Sequence, residues 1–190
     1  PLAPNPTKVR LYIAEKLAGG ASFQVEEVTV KLMKGEQNRP EHRARTPFGS
    51  VPVLEIEPGD FIVESLAIME YLEDCFPEPA MRGRDVRDVA RHRELERVVD
   101  LRILTPIARY IHATNSPIGL PASSDIANQG LSSAQIGLSH VDRLLSDERP
   151  FVLGDSVSMA DCTLAAALQF ARFGQFPELD HYANVMRWDD

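Results

Sequence analysis

The sequence predicts two successive domains, an α/β domain followed by an all-helical one. Three observations carry this. Before residue 77 the apolar pattern changes period, from helical spacing to short β-branched runs and back. Residues 77–83, Pro-Glu-Pro-Ala-Met-Arg-Gly, interrupt the pattern with turn formers. After them no convincing strand pattern recurs, and apolar residues return at helical spacing. The expected division is 1–77 for the first domain, 78–84 for a linker and 85–190 for the helical domain.

In the first domain, residues 8–18 read as a helix. Val9, Leu11, Tyr12, Ile13 and Leu17 give it a broad apolar face, and Gly19-Gly20 ends it. Residues 23–30 are rich in β-branched side chains and read as a strand, although the alternation slips at Glu26-Glu27. Residues 31–45 are polar, contain Gly35 and Pro40, and read as loop or short irregular helix. Residues 51–56, the turn Glu57-Pro58-Gly59-Asp60 and residues 61–63 read as a β-hairpin. Residues 65–76 read as the next helix.

In the second domain, residues 85–112 form one long pattern, with Val98, Leu101, Leu104, Ile107, Ala108 and Ile111 at helical spacing. Pro106 is expected to kink or divide it, because proline lacks an amide and crowds the preceding turn. Residues 115–124, with Pro117, Gly119 and Pro121, read as a loop, and residues 131–145 as a helix. Residues 161–173 are apolar nearly all round, the mark of a helix buried on every side. Ser158 and Asp161 read as its capping box, a folding device rather than a chemical one. Residues 182–190 begin a further helix that is expected to continue.

Composition narrows the function. A hydrophobic share of 44% over 190 residues can bury a real core. The net charge of -8, from 28 acidic against 20 basic residues, argues against a nucleic-acid surface or an anionic membrane as partner. No apolar run approaches the ~20 residues of a membrane span. Cys75 and Cys162 stand one in each half without a C-x-x-C, and read as buried small hydrophobes rather than a redox dithiol. Few cysteines and no visible export signal suggest a reducing cytoplasm. His42, His92, His112, His140 and His181 are scattered without metal-ligand spacing, so no metal is expected. There is no P-loop, no G-x-G-x-x-G and no G-x-S-x-G.

Two segments carry the chemistry: Thr46-Pro47-Phe48-Gly49-Ser50-Val51-Pro52-Val53-Leu54 and Glu64-Ser65-Leu66-Ala67-Ile68-Met69-Glu70-Tyr71-Leu72. The first reads as a buried strand that nevertheless holds a proline, which cannot donate to a ladder. The conflict resolves if Pro52 begins the strand behind a cis bond. In the second, Glu64-Ser65 sits where a strand yields to a helix, so a serine there can cap the helix and leave amides facing an anion. An exposed backbone edge, plus a helix start with a carboxylate beside it, suits a small, extended, zwitterionic peptide.

Three features in order resemble the glutathione S-transferase family. Asn5-Pro6-Thr7-Lys8-Val9-Arg10 is similar to the opening of its first helix. Val51-Pro52 with Glu64-Ser65 is similar to its glutathione site, and Ser158-Met159-Ala160-Asp161 to the capping signature of its second domain. The resemblance covers nearly the whole chain. It implies a thioredoxin-like α/β domain followed by an all-α domain, the glutathione transferase fold. Such a first domain needs a strand before its first helix, so the native chain is expected to extend before Pro1.

The resemblance also implies roles. The Val51 backbone would pair with the cysteinyl part of glutathione, aimed outward by Pro52 in cis. Ser65 would bind the γ-glutamyl carboxylate, and Glu64 the γ-glutamyl ammonium; the other reading of this pair is an ordinary helix cap. Family members place a tyrosine, serine or cysteine at the end of the first strand or just after it to activate the thiol. Here Leu2-Ala3-Pro4-Asn5-Pro6-Thr7 offers none of these, and Asn5 is the candidate catalytic residue, with Thr7 behind it. Asn5 reads equally as a helix N-cap, and the two roles can coexist. A tyrosine before Pro1 is a further option.

An apolar electrophile would lie between the domains, against residues after Leu2 and against Ile103, Ile107, Tyr110 and Ile111, with His112 as a polar member; core packing is the other reading for each. Arg39, His42, Arg43 and Arg45 read either as a solvated loop or as a rim that attracts the glycyl carboxylate. The implied activity is conjugation of glutathione, as co-substrate, to an apolar electrophile, a detoxifying reaction run by a cytoplasmic homodimer. The alternatives are a glutathione-dependent isomerase, peroxidase or dehalogenase, or a non-catalytic binding module on the same fold.

Overall fold

The computed structural model describes residues 3–189; Pro1, Leu2 and Asp190 lie outside them. Helix α1, Pro4–Ala18, starts four residues before the spacing predicts. Pro4 and Pro6 fall in its first turn, where a missing amide breaks no helical hydrogen bond. The buried face of α1 is Lys8, Val9, Tyr12 and Lys16, so it mixes apolar and charged side chains.

Residues 23–30 are irregular backbone, not the strand that their composition suggests. A strand needs a ladder, and no backbone hydrogen bond pairs this segment among the described residues. Val25 and Val28 are exposed, while Phe23 stacks on Phe76 at 4.5 Å between ring centroids. Residues 31–45 are irregular as expected, with 3₁₀ turns at Leu32–Lys34 and Glu36–Asn38 and the one-turn helix α2, Pro40–Arg43. Strands β1, Val53–Glu57, and β2, Asp60–Val63, form an antiparallel hairpin with Val53 opposite Val63 and Leu54 opposite Ile62. Gly59 turns it at φ 85°, in the left-handed region that glycine adopts freely. Pro52 stands just before β1, where it breaks no ladder, and the Val51–Pro52 bond is cis. Helix α3, Ser65–Cys75, follows. Cys75 at its end is exposed, unlike the expectation; Cys162 is buried.

The long helical pattern runs without a break from α4, Val86–Val99, through a π-helical turn, Asp100–Leu104, into α5, Thr105–Thr114. Pro106 neither divides it nor ends it, because the widened turn before it absorbs the missing hydrogen bond and the ring clash. Helix α6, Ser124–Leu144, begins seven residues earlier than predicted. Ser123 caps it, and Gly130 lets it lie against α5: a Cβ there would stand 2.8 Å from the Pro106 carbonyl oxygen. Helix α7, Met159–Phe173, is buried on nearly every side, as its composition predicts. Its capping box is present, with Asp161 accepting from the Ser158 amide at 2.8 Å and hydroxyl at 2.6 Å, and from the Val152 amide at 2.8 Å. Helix α8, Ala183–Asp189, closes the described chain.

The core has two parts. The larger lies among the helices, around Val99, Ile103, Ile107, Leu138, Leu164 and Leu168. The smaller joins Val9 and Tyr12 of α1 to Ile68, Met69 and Leu72 of α3, and is completed by Met159 and Cys162 of α7. Each such side chain contributes about 1.5–3 kcal/mol by leaving water. A buried polar set ties the far end of α1 to α3. Glu73 accepts from Tyr12 Oη at 2.7 Å and the Met81 amide at 2.8 Å, and pairs with Lys16 Nζ at 3.1 Å. Burial first, then Glu73, pushes the Tyr12 phenol well above its ordinary range, so it stays a donor. Helix α1 is thus held by the smaller core and by this polar set.

Candidate functional site

The loop before β1 is held from behind. His42 Nε2 lies 2.8 Å from the Ser50 carbonyl oxygen, and Thr46 Oγ1 lies 3.2 Å from Ser50 Oγ. Arg43 donates to the Pro47 carbonyl at 2.6 Å and to Asn38 Oδ1 at 2.9 Å. Gly49 has φ 61°, and a Cβ there would stand 2.9 Å from both the Arg43 guanidinium carbon and the Gln37 carbonyl oxygen. With its neighbours so fastened, Val51 is left with amide and carbonyl that have no hydrogen-bond partner among the described residues. That is an open backbone edge, ready for one extended peptide unit.

The start of α3 is open in the same way. Glu64 occupies the N-cap position with φ 72° and ψ 118°, and its side chain caps nothing. Such a backbone costs a residue with a Cβ about 1–3 kcal/mol and clusters at ligand sites. Ser65 is the first helical residue, 6% exposed, and the amides of Ser65, Leu66 and Ala67 have no backbone acceptor among the described residues. Glu64-Ser65 is therefore not an ordinary cap, because neither side chain closes the helix end. Three free donors and the positive end of the helix dipole stand together at this start, with the exposed Glu64 carboxylate beside them.

Asn5 meets this second segment. Ser65 Oγ donates to Asn5 Oδ1 at 3.5 Å, which leaves the Asn5 Nδ2 group as a free donor. Asn5 is not an N-cap; Ala3 holds that position, and Thr7 returns both its hydroxyl and its amide to the Ala3 carbonyl, at 3.0 and 3.2 Å. Pro4 and Pro6 have no amides, so Asn5 supplies the free backbone N–H of this turn.

The expected electrophile wall divides. Ile103, Ile107 and Ile111 are fully buried in the larger core and have no surface to offer a ligand, which corrects that expectation. Their helical spacing is the same for a core face and a pocket face, so the sequence could not separate the two. Tyr110 is half-buried, edge-on to Phe176 at 5.1 Å. His112 is half-buried too, with Nδ1 3.0 Å from Ser116 Oγ, and burial holds its imidazole pKa below the ordinary value. Leu2 lies outside the described residues. The basic cluster also divides. His42 and Arg43 are spent on the loop, while Arg39 and Arg45 line a cavity of about 250 Å³ with Val30, Glu36, Glu41 and His42.

Sequence reasoning missed Gly49 and His42 as supports of the Val51 loop. It also missed the burial of Lys8 and Lys16, which, with Tyr12 between them at four-residue spacing, form one buried stripe on α1. That spacing was the available signal.

Residues 1–74 match the family description "Glutathione S-transferase, N-terminal domain", and residues 126–188 match "Glutathione S-transferase, C-terminal domain". A Saccharomyces cerevisiae protein named glutathione S-transferase 2 is 34% identical over 175 residues, covering 90% of this chain and 73% of its own. A Pseudomonas aeruginosa protein named maleylacetoacetate isomerase is 29% identical over 195 residues, covering 96% of this chain and 84% of its own. The crystal structure of a glutathione S-transferase domain-containing protein from Marinobacter aquaeolei superposes with a TM-score of 0.88 at 30% identity, covering 98% of this chain and 91% of that one.

Proposed function

The chain belongs to the glutathione S-transferase family, with its thioredoxin-like and all-α fold and its transferase activity, and from this premise we propose that Val51, Pro52, Glu64, Ser65 and Asn5 form the glutathione site. The observation that carries the proposal is the meeting of Asn5 and Ser65 at an uncapped helix start. The γ-glutamyl carboxylate takes the α3 amides and the Ser65 hydroxyl, and Glu64 pairs with the γ-glutamyl ammonium. Each charge-assisted hydrogen bond of this clamp is worth about 1.5–3 kcal/mol. The Val51 amide and carbonyl pair with the cysteinyl unit, and Arg39 and Arg45 attract the glycyl carboxylate.

This places the sulfur at the start of α1. A thiol of this kind has a pKa near ~8.5, and only its thiolate attacks. Asn5 Nδ2, the Asn5 amide and the positive end of the α1 dipole all favour the thiolate. The thiolate then attacks an electrophilic carbon of an apolar substrate, bounded on one side by Tyr110 and His112; the C–S bond of a thioether forms as a leaving group departs with its electron pair, or as a π bond opens and takes up a proton from water. The working form is a cytoplasmic homodimer, and the chemistry is that of detoxification. Phe48 in the first half and Leu101 and Ile136 among the helices, 69%, 49% and 73% exposed, are the apolar surface that such a dimer would cover. The domains divide at residues 78–84. Among the described residues no helix is long and apolar enough to cross a membrane.

A second reading, a glutathione-dependent isomerase, draws on the likeness to the Pseudomonas aeruginosa protein. The same thiolate adds to a conjugated double bond and then leaves, so glutathione is recovered unchanged.

A pH titration of glutathione thiolate absorbance in the presence of the protein tests the site. The expected result is a bound-thiol pKa well below that of free glutathione. Binding without a shift would remove thiol activation, and no binding would leave the fold without the activity. Product analysis separates the two readings, since a transferase consumes glutathione and an isomerase returns it.

A further inference from the structure

Lys8 is charged, yet its side chain is fully buried. Its Nζ lies 3.5 Å from Glu96 Oε1 and 3.5 Å from Asp100 Oδ1. Glu96 stands on α4, and Asp100 opens the π-helical turn. Thr163 of α7 donates to the same Glu96 oxygen at 3.1 Å, and Arg97 donates to Asp100 Oδ2 at 2.8 Å. One lysine from the first half thus ends where three elements of the helical half converge. Removing one member of such a cluster leaves buried charge uncompensated.

We propose that Lys8 is a positioning residue for thiol activation: held by Glu96 and Asp100, it sets how the start of α1, with Asn5, meets the glutathione sulfur. The helical half thereby tunes a step performed by the first half. This rests on the thiol-activation reading above. Two observations separate it from plain stabilisation. A second buried lysine, Lys16, already anchors the other end of α1 through Glu73 and the Pro79 carbonyl, at 3.1 and 2.7 Å. At the helical rise, Asn5 lies about 4.5 Å along the axis from Lys8 but about 16 Å from Lys16, so only the first anchor controls the helix start closely. The second observation is the π-turn itself, a departure from regular helix that is frequent at functional sites and here presents Asp100 to Lys8.

The test titrates the bound glutathione thiol in wild type, Lys8→Met, Asp100→Asn and Lys16→Met. Lys8→Met and Asp100→Asn should raise the bound-thiol pKa by about one unit, hence about tenfold less thiolate at a given pH below it, with glutathione affinity unchanged. Lys8→Arg should recover part of the shift. Lys16→Met should lower the thermal midpoint and leave the thiol where it was. If Lys8→Met does not fold, Asp100→Asn carries the comparison. A thiol unmoved in both site variants, or moved as far by Lys16→Met, overturns the proposal. If wild type itself does not lower the thiol pKa, the activation reading falls separately. The Asn5 side-chain amide resonances of the free protein then decide: displaced by Lys8→Met and Asp100→Asn but not by Lys16→Met, they support the positioning role; undisplaced, they overturn it.

Discussion

Helices α3 and α7 both begin with a serine near an acidic residue, and the two starts are finished in opposite ways. At α7, Asp161 turns back and satisfies two amides and the Ser158 hydroxyl, all buried. At α3, Glu64 points to solvent from a left-handed backbone and the first amides stay open. The order of the two residues decides this. Serine three residues before the acid makes a closed box, whereas an acid directly before serine cannot reach back. A closed start contributes stability, and an open start keeps its donors for a ligand.

The sharpest way to break the comparison is Asp161→Ala, which orphans three buried donors. It should cost about 3–5 kcal/mol of stability, read as a lower urea midpoint with an unchanged slope. A loss below about 1 kcal/mol would mean that the box does not hold α7. At the open start, Ser65→Ala should weaken glutathione binding by about 1–2 kcal/mol, roughly 5–30-fold by calorimetry, with little change in midpoint. Unchanged affinity would refute the clamp. Asn5→Ala should raise the bound-thiol pKa by about 0.5–1 unit and leave affinity in place. A wild-type titration in that variant would remove Asn5 from the mechanism.

The smallest effect concerns two half-buried histidines. Burial, the largest cause for each, holds His92 and His112 below the ordinary imidazole value of 6.5. A depressed folded pKa means that the unfolded chain binds protons more readily. The stability these neutral rings contribute is present above pH 6.5 and lost as the pH falls through the folded values. The double variant His92→Gln/His112→Gln should therefore lose less stability than wild type between about pH 7 and 5, followed by thermal melts. Identical pH dependence would place the acid sensitivity elsewhere.

Local chemistry made much of this legible. Pro52 ahead of a strand called for a cis bond, and a cis bond is there. The all-round apolar run predicted the buried α7, and Ser158 with Asp161 predicted its cap. These features depend on neighbours in sequence, which the sequence itself supplies. The failures all needed a distant partner. Residues 23–30 have strand composition but no strand beside them among the described residues. Ile103, Ile107 and Ile111 have the spacing of a pocket wall and the burial of a core.

The order of helices and hairpin and the turn chemistry were written in local sequence, as were the residues we propose for the clamp, through forces that act within a few residues. It took the folded chain to bring Asn5 to Ser65, 60 residues away, and to end Lys8, as buried as the core, between Glu96 and Asp100. The physical reason is that a buried charge is tolerated only where the fold brings its partners, and no local pattern records which partners will arrive.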